Sequence, residues 1–340
     1  MPEISPRRLL LALGVGAMGM LLLLAYLIWS GHREAIRSTE ATTRGYAAVF
    51  EARLDATLRH TNAVLQTLAH QIPRAALDQQ AVPLYARALD AALDLEIANF
   101  AELAGIRITD ASGNILYTSD SANTPRAQVA DRSYFRAVRD NPRLNLAFSE
   151  VITARTTGRQ SVAVAKALRD EQGAFRGTVY VLLELEHFLK LMKSLDLGAN
   201  GAVVIRRSDD FTRVLRWPAD KDPPNTALPQ NSPARAVLAG GTRTATTELI
   251  APVDGIKRIY SYHALPSYPF YIGVGIGSDD ALAGWRTRSL VAGLFTLLLL
   301  GLLISLLLRL ERAHAAHAQL AAIEAPRTMP SSAAIPKARY

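Results

Sequence analysis

Two long apolar stretches constrain this sequence more than any other feature. The first runs from Leu9 to Trp29 and the second from Ser289 to Leu308, and neither contains a charged residue. At 1.5 Å per residue, a helix of either length spans the roughly 30 Å hydrocarbon core of a bilayer. We therefore predict two transmembrane helices, at residues 9–29 and 288–308, with both chain termini on the same side of the membrane.

Basic residues beside the first stretch indicate its orientation. Arg7 and Arg8 precede it, and positive charge is favoured on the cytoplasmic side. We expect residues 1–8 and 309–340 in the cytoplasm and the enclosed region outside, in a multi-pass protein of a bacterial inner membrane. A cleaved signal peptide is the competing interpretation, but the apolar run is too long for one and ends without a small-residue cleavage site.

The chain lacks the residues that several classes of protein require. It has no cysteine, which excludes disulfides, thiolate zinc sites, iron–sulfur clusters and cysteine nucleophiles. The net charge is +8, but the basic residues are scattered rather than interleaved with aromatics, so we expect no nucleic-acid partner.

The sequence also gives no sign of catalysis. It contains no G-x-S-x-G nucleophile elbow. The histidines of the enclosed region are widely spaced, at His60, His70, His187 and His263. His314 and His317 have a helical spacing but no third metal ligand nearby. We expect no enzymatic activity, no cofactor and no metal site.

A long helix is predicted to follow the first apolar stretch, over residues 30–72. Apolar and small residues recur in it at spacings of three and four, which is typical of one buried helix face. These residues are Phe50, Leu54, Leu58, Thr61, Leu65, Leu68 and Ile72. The stripe fits packing against the rest of the region or pairing with a second copy of the chain, and we expect a homodimer. A second helix is predicted from about Val82 to Glu102.

Beyond this point the pattern changes to short strands joined by tight turns. The predicted strands are residues 106–110, 115–118, 161–169, 177–185, 201–207, 213–217, 243–249, 257–262 and 270–277. A connecting helix at 189–195 separates the first four strands from the rest, and residues 218–233 form a Pro-rich loop. Neighbouring strands joined by tight turns predict antiparallel sheets. The expected fold class is α+β: a stalk helix and two tandem PAS-like modules, at residues 73–187 and 188–287, flanked by the transmembrane helices.

Local motifs resemble a known family. The segment from Asp131 to Phe135 reads D-R-x-Y-F, Ser149 to Ile152 reads S-E-V-I, and a hairpin from Gly158 to Gly177 ends in G-x-F-x-G. With the layout of stalk and modules, residues 30–285 resemble the double Cache sensor domain of bacterial receptors, such as those attached to diguanylate cyclases and histidine kinases. The resemblance implies that the membrane-distal module, at 73–187, binds a small extracellular ligand.

The resemblance also indicates where a ligand would bind. It implies a pocket between the sheet and the D-R-x-Y-F segment. The candidate lining residues are Asp131, Arg132, Tyr134, Phe135, Tyr117, Ser161, Ala163 and Lys166. The aromatic–arginine–aromatic pattern of amino-acid-binding relatives is not clearly present, so an anionic and an amino-acid-like ligand both stay open.

Physical chemistry gives the same residues functional and structural interpretations. Arg132 could pair with a carboxylate in a bidentate geometry, and Tyr134 could donate to it. Lys166 lies in an apolar strand and needs an anionic partner, such as a ligand or Glu150. The structural alternative makes Asp131 the N-cap of a short helix, Phe135 a core residue and Arg132 a surface ion pair.

We therefore expect an extracytoplasmic small-molecule sensor for signal transduction. Residues 309–340 contain no GGDEF-type motif, kinase signature or P-loop, so we expect no catalytic output domain and a separate signalling partner. The alternatives are a truncated diguanylate cyclase or histidine kinase receptor, and a membrane adaptor that senses nothing.

Overall fold

The computed structural model describes residues 6–98, 100, 102–119, 127–155 and 158–324, which form an α+β fold. The helices are α1 (Pro6–Gln71), α2 (Val82–Ala98), α3 (Ser133–Asp140), α4 (Leu185–Lys193), α5 (Pro233–Ala239) and α6 (Ser278–Glu324). The strands are β1 (Leu103–Asp110), β2 (Ile115–Thr118), β3 (Ala147–Thr153), β4 (Gln160–Arg169), β5 (Phe175–Glu184), β6 (Ala202–Arg207), β7 (Arg213–Trp217), β8 (Thr244–Ile250), β9 (Lys257–Ala264) and β10 (Phe270–Gly277).

The chain divides into two compact units. One comprises residues 35–283 and contains both sheets; the other comprises the described parts of residues 1–34 and 284–340. In the second unit, α1 and α6 each contain a stretch long and apolar enough to cross a bilayer. Leucines of both stretches, such as Leu22 and Leu298, are exposed, which is the surface expected where lipid replaces water.

A tryptophan joins the two helices of this smaller unit. The indole Nε1 of Trp285 donates a hydrogen bond to the carbonyl oxygen of Ile28 at 2.9 Å. Gly31 permits this close approach, because a Cβ there would lie 3.2 Å from the Trp285 ring.

The histidine pair predicted not to bind metal, His314 and His317, lies outside the residues whose side chains are described.

The two sheets of the larger unit share one topology. The first has the strand order β2-β1-β5-β4-β3, the second has the order β7-β6-β10-β9-β8, and every pairing is antiparallel. This confirms the predicted α+β fold with a long N-terminal helix and two antiparallel sheets.

The apolar stripe of α1 packs on these sheets. All seven of its predicted residues, from Phe50 to Ile72, are buried. The apolar ones join one hydrophobic cluster with Ile108 of the first sheet and Ile272 of the second. The stripe is therefore an internal face of the chain, and this answers the question that its periodicity left open.

Three local predictions were incomplete. The connecting helix α4 starts at Leu185, four residues earlier than predicted, and α2 ends at Ala98, before the predicted Glu102. β3 contains the S-E-V-I motif but was not predicted as a strand. Its register shifts between Phe148 and Val151, and such a bulge breaks the alternation that identifies a strand.

Candidate functional site

A small cavity lies in the first module, on the face of the sheet that α3 covers. Alternation along β4 separates the two faces: Val162 and Val164 point toward the α1 side, whereas Ala163 and Ala165 point toward α3. The cavity has a volume of about 20 Å³. Its polar lining residues are Arg107, Arg132, Tyr134, Arg155 and Tyr180.

Arg107 on β1 brings a positive charge to the base of this cavity. The residue is only 2% exposed, and a guanidinium does not lose its proton in a protein. Gly105 makes room for it, because a Cβ at Gly105 would lie 2.7 Å from Arg107 Nη1. In the pairing of β1 with β5, Arg107 lies opposite Tyr180.

Two tyrosines face each other beside this arginine. The ring centroids of Tyr134, on α3, and Tyr180, on β5, are 5.0 Å apart. Burial raises the pKa of both phenols above the ordinary value. The sign of this shift keeps both hydroxyls protonated at neutral pH. The two hydroxyls also hydrogen-bond each other, so the pair has one donor proton left for a bound acceptor.

An exposed ion pair lies at the rim. Arg155 Nη2 donates to Asp131 Oδ2 at 2.7 Å, and this hydrogen bond lowers the pKa of the Asp131 carboxyl. The expectation that Asp131 caps the short helix was wrong: α3 begins at Ser133, and Arg132 occupies the N-cap position without a side-chain hydrogen bond. The half-buried Arg132 lines the cavity, and its side chain has no ion pair within the described residues.

Six of the eight predicted site residues lie at the cavity or on the same face of the first sheet. Arg132 and Tyr134 line the cavity, and Asp131 lies at its rim. Phe135 and Ala163 belong to the hydrophobic cluster between α3 and the sheet. Ser161 is buried in β4 on the same face as Ala163.

The other two predicted residues are placed elsewhere. The Tyr117 hydroxyl donates to the carbonyl oxygen of Ala76 at 2.7 Å, on the α1 side of the sheet. Lys166 donates to the amide oxygen of Asn145, so neither an anion nor Glu150 is its described partner. Burial lowers the pKa of the Lys166 ammonium.

Sequence reasoning missed three polar residues of the cavity. Arg107 and Tyr180 lie on predicted strands, but the local pattern does not indicate that α3 covers this face of the sheet. Arg155 lies beyond β3, in a segment that was not assigned to the site. A charged residue between two isoleucines, as in Ile106-Arg107-Ile108, is the signal that could have identified the first of them.

The cavity is suited to a small anion. Guanidinium and phenol groups converge in it, apolar side chains such as Ile152 and Leu182 complete the walls, and no acidic side chain lines it within the described residues. Arginine forks match the two oxygens of a carboxylate. The described residues also contain no group of three histidine or acidic side chains that could hold a metal ion.

Comparisons with known proteins agree with this architecture. The sequence signature of a family described as the Cache domain matches residues 30–285. Among solved structures, the extracellular domain of rpHK1S-Z16, named as a histidine kinase, is 23% identical with a TM-score of 0.62, over 74% of this chain and 99% of that one. No curated protein matches the chain.

Two chemoreceptor domains are similar at lower identity. The ligand-binding domain of CtaA from Pseudomonas fluorescens, in complex with L-isoleucine, is 18% identical with a TM-score of 0.52, over 74% of this chain and 98% of that one. The corresponding domain of PctB from Pseudomonas aeruginosa PAO1, in complex with L-Arg, is 19% identical with a TM-score of 0.52, over 72% and 97%. At these identities the likeness is one of fold.

Proposed function

The chain belongs to the Cache domain family, and from this premise we propose that it is a membrane-anchored receptor whose first module senses a small carboxylate outside the cytoplasm. The observation that carries the proposal is the convergence of Arg107 and Arg132 with Tyr134 and Tyr180 in one cavity. A carboxylate there would exchange water for guanidinium and phenol donors in a site of low dielectric constant.

The charge of the lining supports a carboxylate without an ammonium group. CtaA and PctB were solved with amino acids, which carry both charges. In this chain no acidic side chain lines the described cavity. The carboxylate at its rim, Asp131, is already paired with Arg155, so an ammonium in the cavity would compete with that arginine for its partner. A cavity of about 20 Å³ has room for roughly one or two water-sized groups, so a larger ligand requires the lining to open.

The two apolar helices support a signalling role across a membrane. We propose that α1 and α6 cross the inner membrane and that the larger unit lies in the periplasm. α6 begins at Ser278, directly after β10, and α1 packs on both sheets. A ligand that binds two arrangements of the modules with different affinity would shift their populations, and these helices provide a covalent route inward.

The proposed signalling role across a membrane implies partners for the receptor. We propose a separate signalling protein as the recipient of the signal. A homodimer is compatible with the proposal, but the apolar stripe of α1 no longer argues for it, because the chain's own sheets bury that face. A dimer would use another surface, for example one that includes the exposed Leu84 on α2.

Calorimetric titration of the purified full chain tests the proposal. The panel contains short-chain carboxylates, hydroxy acids, dicarboxylates and amino acids. We expect at least one carboxylate to bind, and Arg132→Gln and Tyr134→Phe each to weaken it by about 10- to 30-fold, since each removes a donor worth roughly 1.5–2 kcal/mol.

Arg139→Gln is the matched control, because Arg139 lies on the same helix but is exposed and paired with Asp140 at 2.7 Å. The Arg139→Gln variant should bind the carboxylate with the same affinity as the unmodified chain. Binding that ignores both Arg132 and Tyr134 would refute this location of the site. Binding of amino acids alone would reject the preference for a ligand without an ammonium group.

A further inference from the structure

The second module repeats the central polar pair of the first. In the pairing of β6 with β10, Arg206 lies opposite Tyr271, as Arg107 lies opposite Tyr180 in the first sheet. Each tyrosine also pairs with an alanine on the next strand, Ala165 in one case and Ala264 in the other. Because the strand orders correspond, the two pairs occupy equivalent places.

A second cavity lies at this place. It has a volume of about 40 Å³, twice that of the first. Leu228, Ala234 and Leu249 form apolar walls, and Arg206 and Tyr271 contribute polar groups. By the same measure there is room for roughly three water-sized groups, slightly fewer than the four non-hydrogen atoms of acetate. Acetate therefore needs a slight opening of the lining, and longer acids need more.

Arg206 supplies a positive charge that its hydrogen-bond partners do not neutralise. It is 5% exposed, and its Nη1 donates to the carbonyl oxygens of Phe211 and Thr226 at 2.9 and 3.1 Å. Carbonyl groups satisfy the hydrogen bonds but carry no net charge. Desolvation therefore lowers the Arg206 pKa, and a bound anion would offset that cost.

The other arginine of this cavity is already compensated. Arg216 Nη2 donates to Asp254 Oδ2 at 2.7 Å, and Arg216 Nη1 lies 3.3 Å from Asp220 Oδ2. Within the described lining, an incoming anion would thus meet Arg206 as the cation without a carboxylate partner. The charged end of a ligand would therefore lie on the Arg206 side of the cavity.

Tyr271 provides an independent observation that points to a ligand. The residue is 1% exposed, and its hydroxyl has no hydrogen-bond partner among the described residues. Leaving a buried hydroxyl unsatisfied is costly, and this one belongs to a side chain that lines the cavity. Its ring lies 6.3 Å from that of Tyr262, centroid to centroid.

We infer that the second module has its own binding site for a small aliphatic monocarboxylate. The carboxylate would accept hydrogen bonds from the Arg206 guanidinium and the Tyr271 hydroxyl, and the alkyl group would contact Leu228 and Leu249. This site lies in a different module from the proposed sensing cavity and does not depend on it.

Titration of the full chain with acetate, propionate and butyrate tests the inference. Tyr271→Phe removes only the unpartnered hydroxyl, so the ligand-free melting temperature should be unchanged or higher, whereas propionate affinity should fall about tenfold. A purely structural tyrosine would show the opposite pattern, with a lower melting temperature and unchanged affinity. Arg206→Gln should abolish the component of binding that Tyr271→Phe weakens.

Tyr134→Phe is the matched change in the first cavity and separates the two sites. Loss of propionate affinity in Tyr271→Phe but not in Tyr134→Phe supports a site in the second module. Loss only in Tyr134→Phe leaves the first cavity as the site for these acids and overturns the inference. Absence of binding of any of the three acids at millimolar concentration also overturns it, while the first cavity stays testable with the larger panel.

Discussion

Arg107 and Arg206 lie on strands where both faces of the sheet are covered, so each holds a charge away from water. Moving a guanidinium out of water costs several kcal/mol unless hydrogen bonds and an opposite charge compensate it. Both arginines lie beside a buried tyrosine, which contributes a neutral donor rather than an anion. Such a pair favours the binding of an acceptor with negative charge.

At another place in the second module, the carboxylate of Asp254 supplies the negative charge that compensates buried arginines. Asp254 receives two hydrogen bonds from Arg258, at 2.9 and 2.8 Å, and one from Arg216. Burial alone would raise its pKa, but the hydrogen bonds from Arg258 and the backbone of Ile256, with the nearby charges, lower it to about 2. Asp254 thus offsets the burial of Arg258 and, together with Asp220, that of Arg216.

This depressed pKa predicts a dependence of stability on pH. The folded-state pKa lies below the unfolded value of about 3.9, so the stabilisation is complete above that value and is lost as the pH falls toward 2. We expect Asp254→Asn to lower the free energy of unfolding by about 1–2 kcal/mol at pH 7. The difference from the unmodified chain should narrow between about pH 4 and pH 2.5. Urea unfolding of the 35–283 fragment measures it.

Asp140→Asn serves as the control, because Asp140 makes an exposed ion pair with Arg139 and such pairs contribute little. A difference for Asp254→Asn that stays constant across this pH range would show that its carboxylate charge does not stabilise the fold.

Single residues also show how far the sequence predicted the site. Arg132 and Tyr134 were predicted from a local motif and do line the cavity. Arg107 and Tyr180 come from strands β1 and β5, which only the tertiary pairing brings together. Local alternation reports that a strand has two faces, but it does not report that a short helix such as α3 covers the second one. Long-range pairing was therefore the missing information.

At the scale of elements, the strands were predicted more closely than the site. Nine of the ten observed strands overlap predicted ones, because tight turns bound them; the exception is β3, where a bulge interrupts the alternation.

The glycine that ends the G-x-F-x-G motif, Gly177, is required for a steric reason: a Cβ there would lie 2.0 Å from the Thr109 carbonyl oxygen. α5 was missed, although Pro233 at its first turn is a helix-start signal.

The buried face of helix α1 leads to a prediction about the stability of the fold. Leu65 is fully buried near the C-terminal end of this helix, so Leu65→Ala should lower the free energy of unfolding by about 2–4 kcal/mol, through lost burial and the cavity left behind. Leu84→Ala on α2 is the matched control, since Leu84 is 78% exposed, and it should change stability by less than about 0.5 kcal/mol.

Chemical denaturation of the 35–283 fragment gives both values. The comparison also separates internal packing from self-association. If the stripe of α1 were a dimer interface rather than an internal face, the effect of Leu65→Ala would depend on protein concentration. We expect the same loss of stability at all concentrations.

At the scale of the whole molecule, the absence of cysteine makes the proposed orientation directly testable. Gln172 lies in an exposed turn between β4 and β5, and Glu311 is exposed on α6. A membrane-impermeant maleimide should label Gln172→Cys in intact spheroplasts, but it should label Glu311→Cys only after permeabilisation. The unmodified chain, which has no thiol, is the control. The reverse labelling pattern would invert the topology.

The packing of α1 on both sheets has a thermodynamic consequence for the molecule. Because residues of the two modules belong to one hydrophobic cluster around this helix, neither module can open fully without exposing apolar surface of the other. We therefore predict a single cooperative unfolding transition for the region from 35 to 283, in contrast to the separate transitions common in multi-domain chains of this length. Under such coupling, the binding free energy gained in either cavity protects the entire region against unfolding.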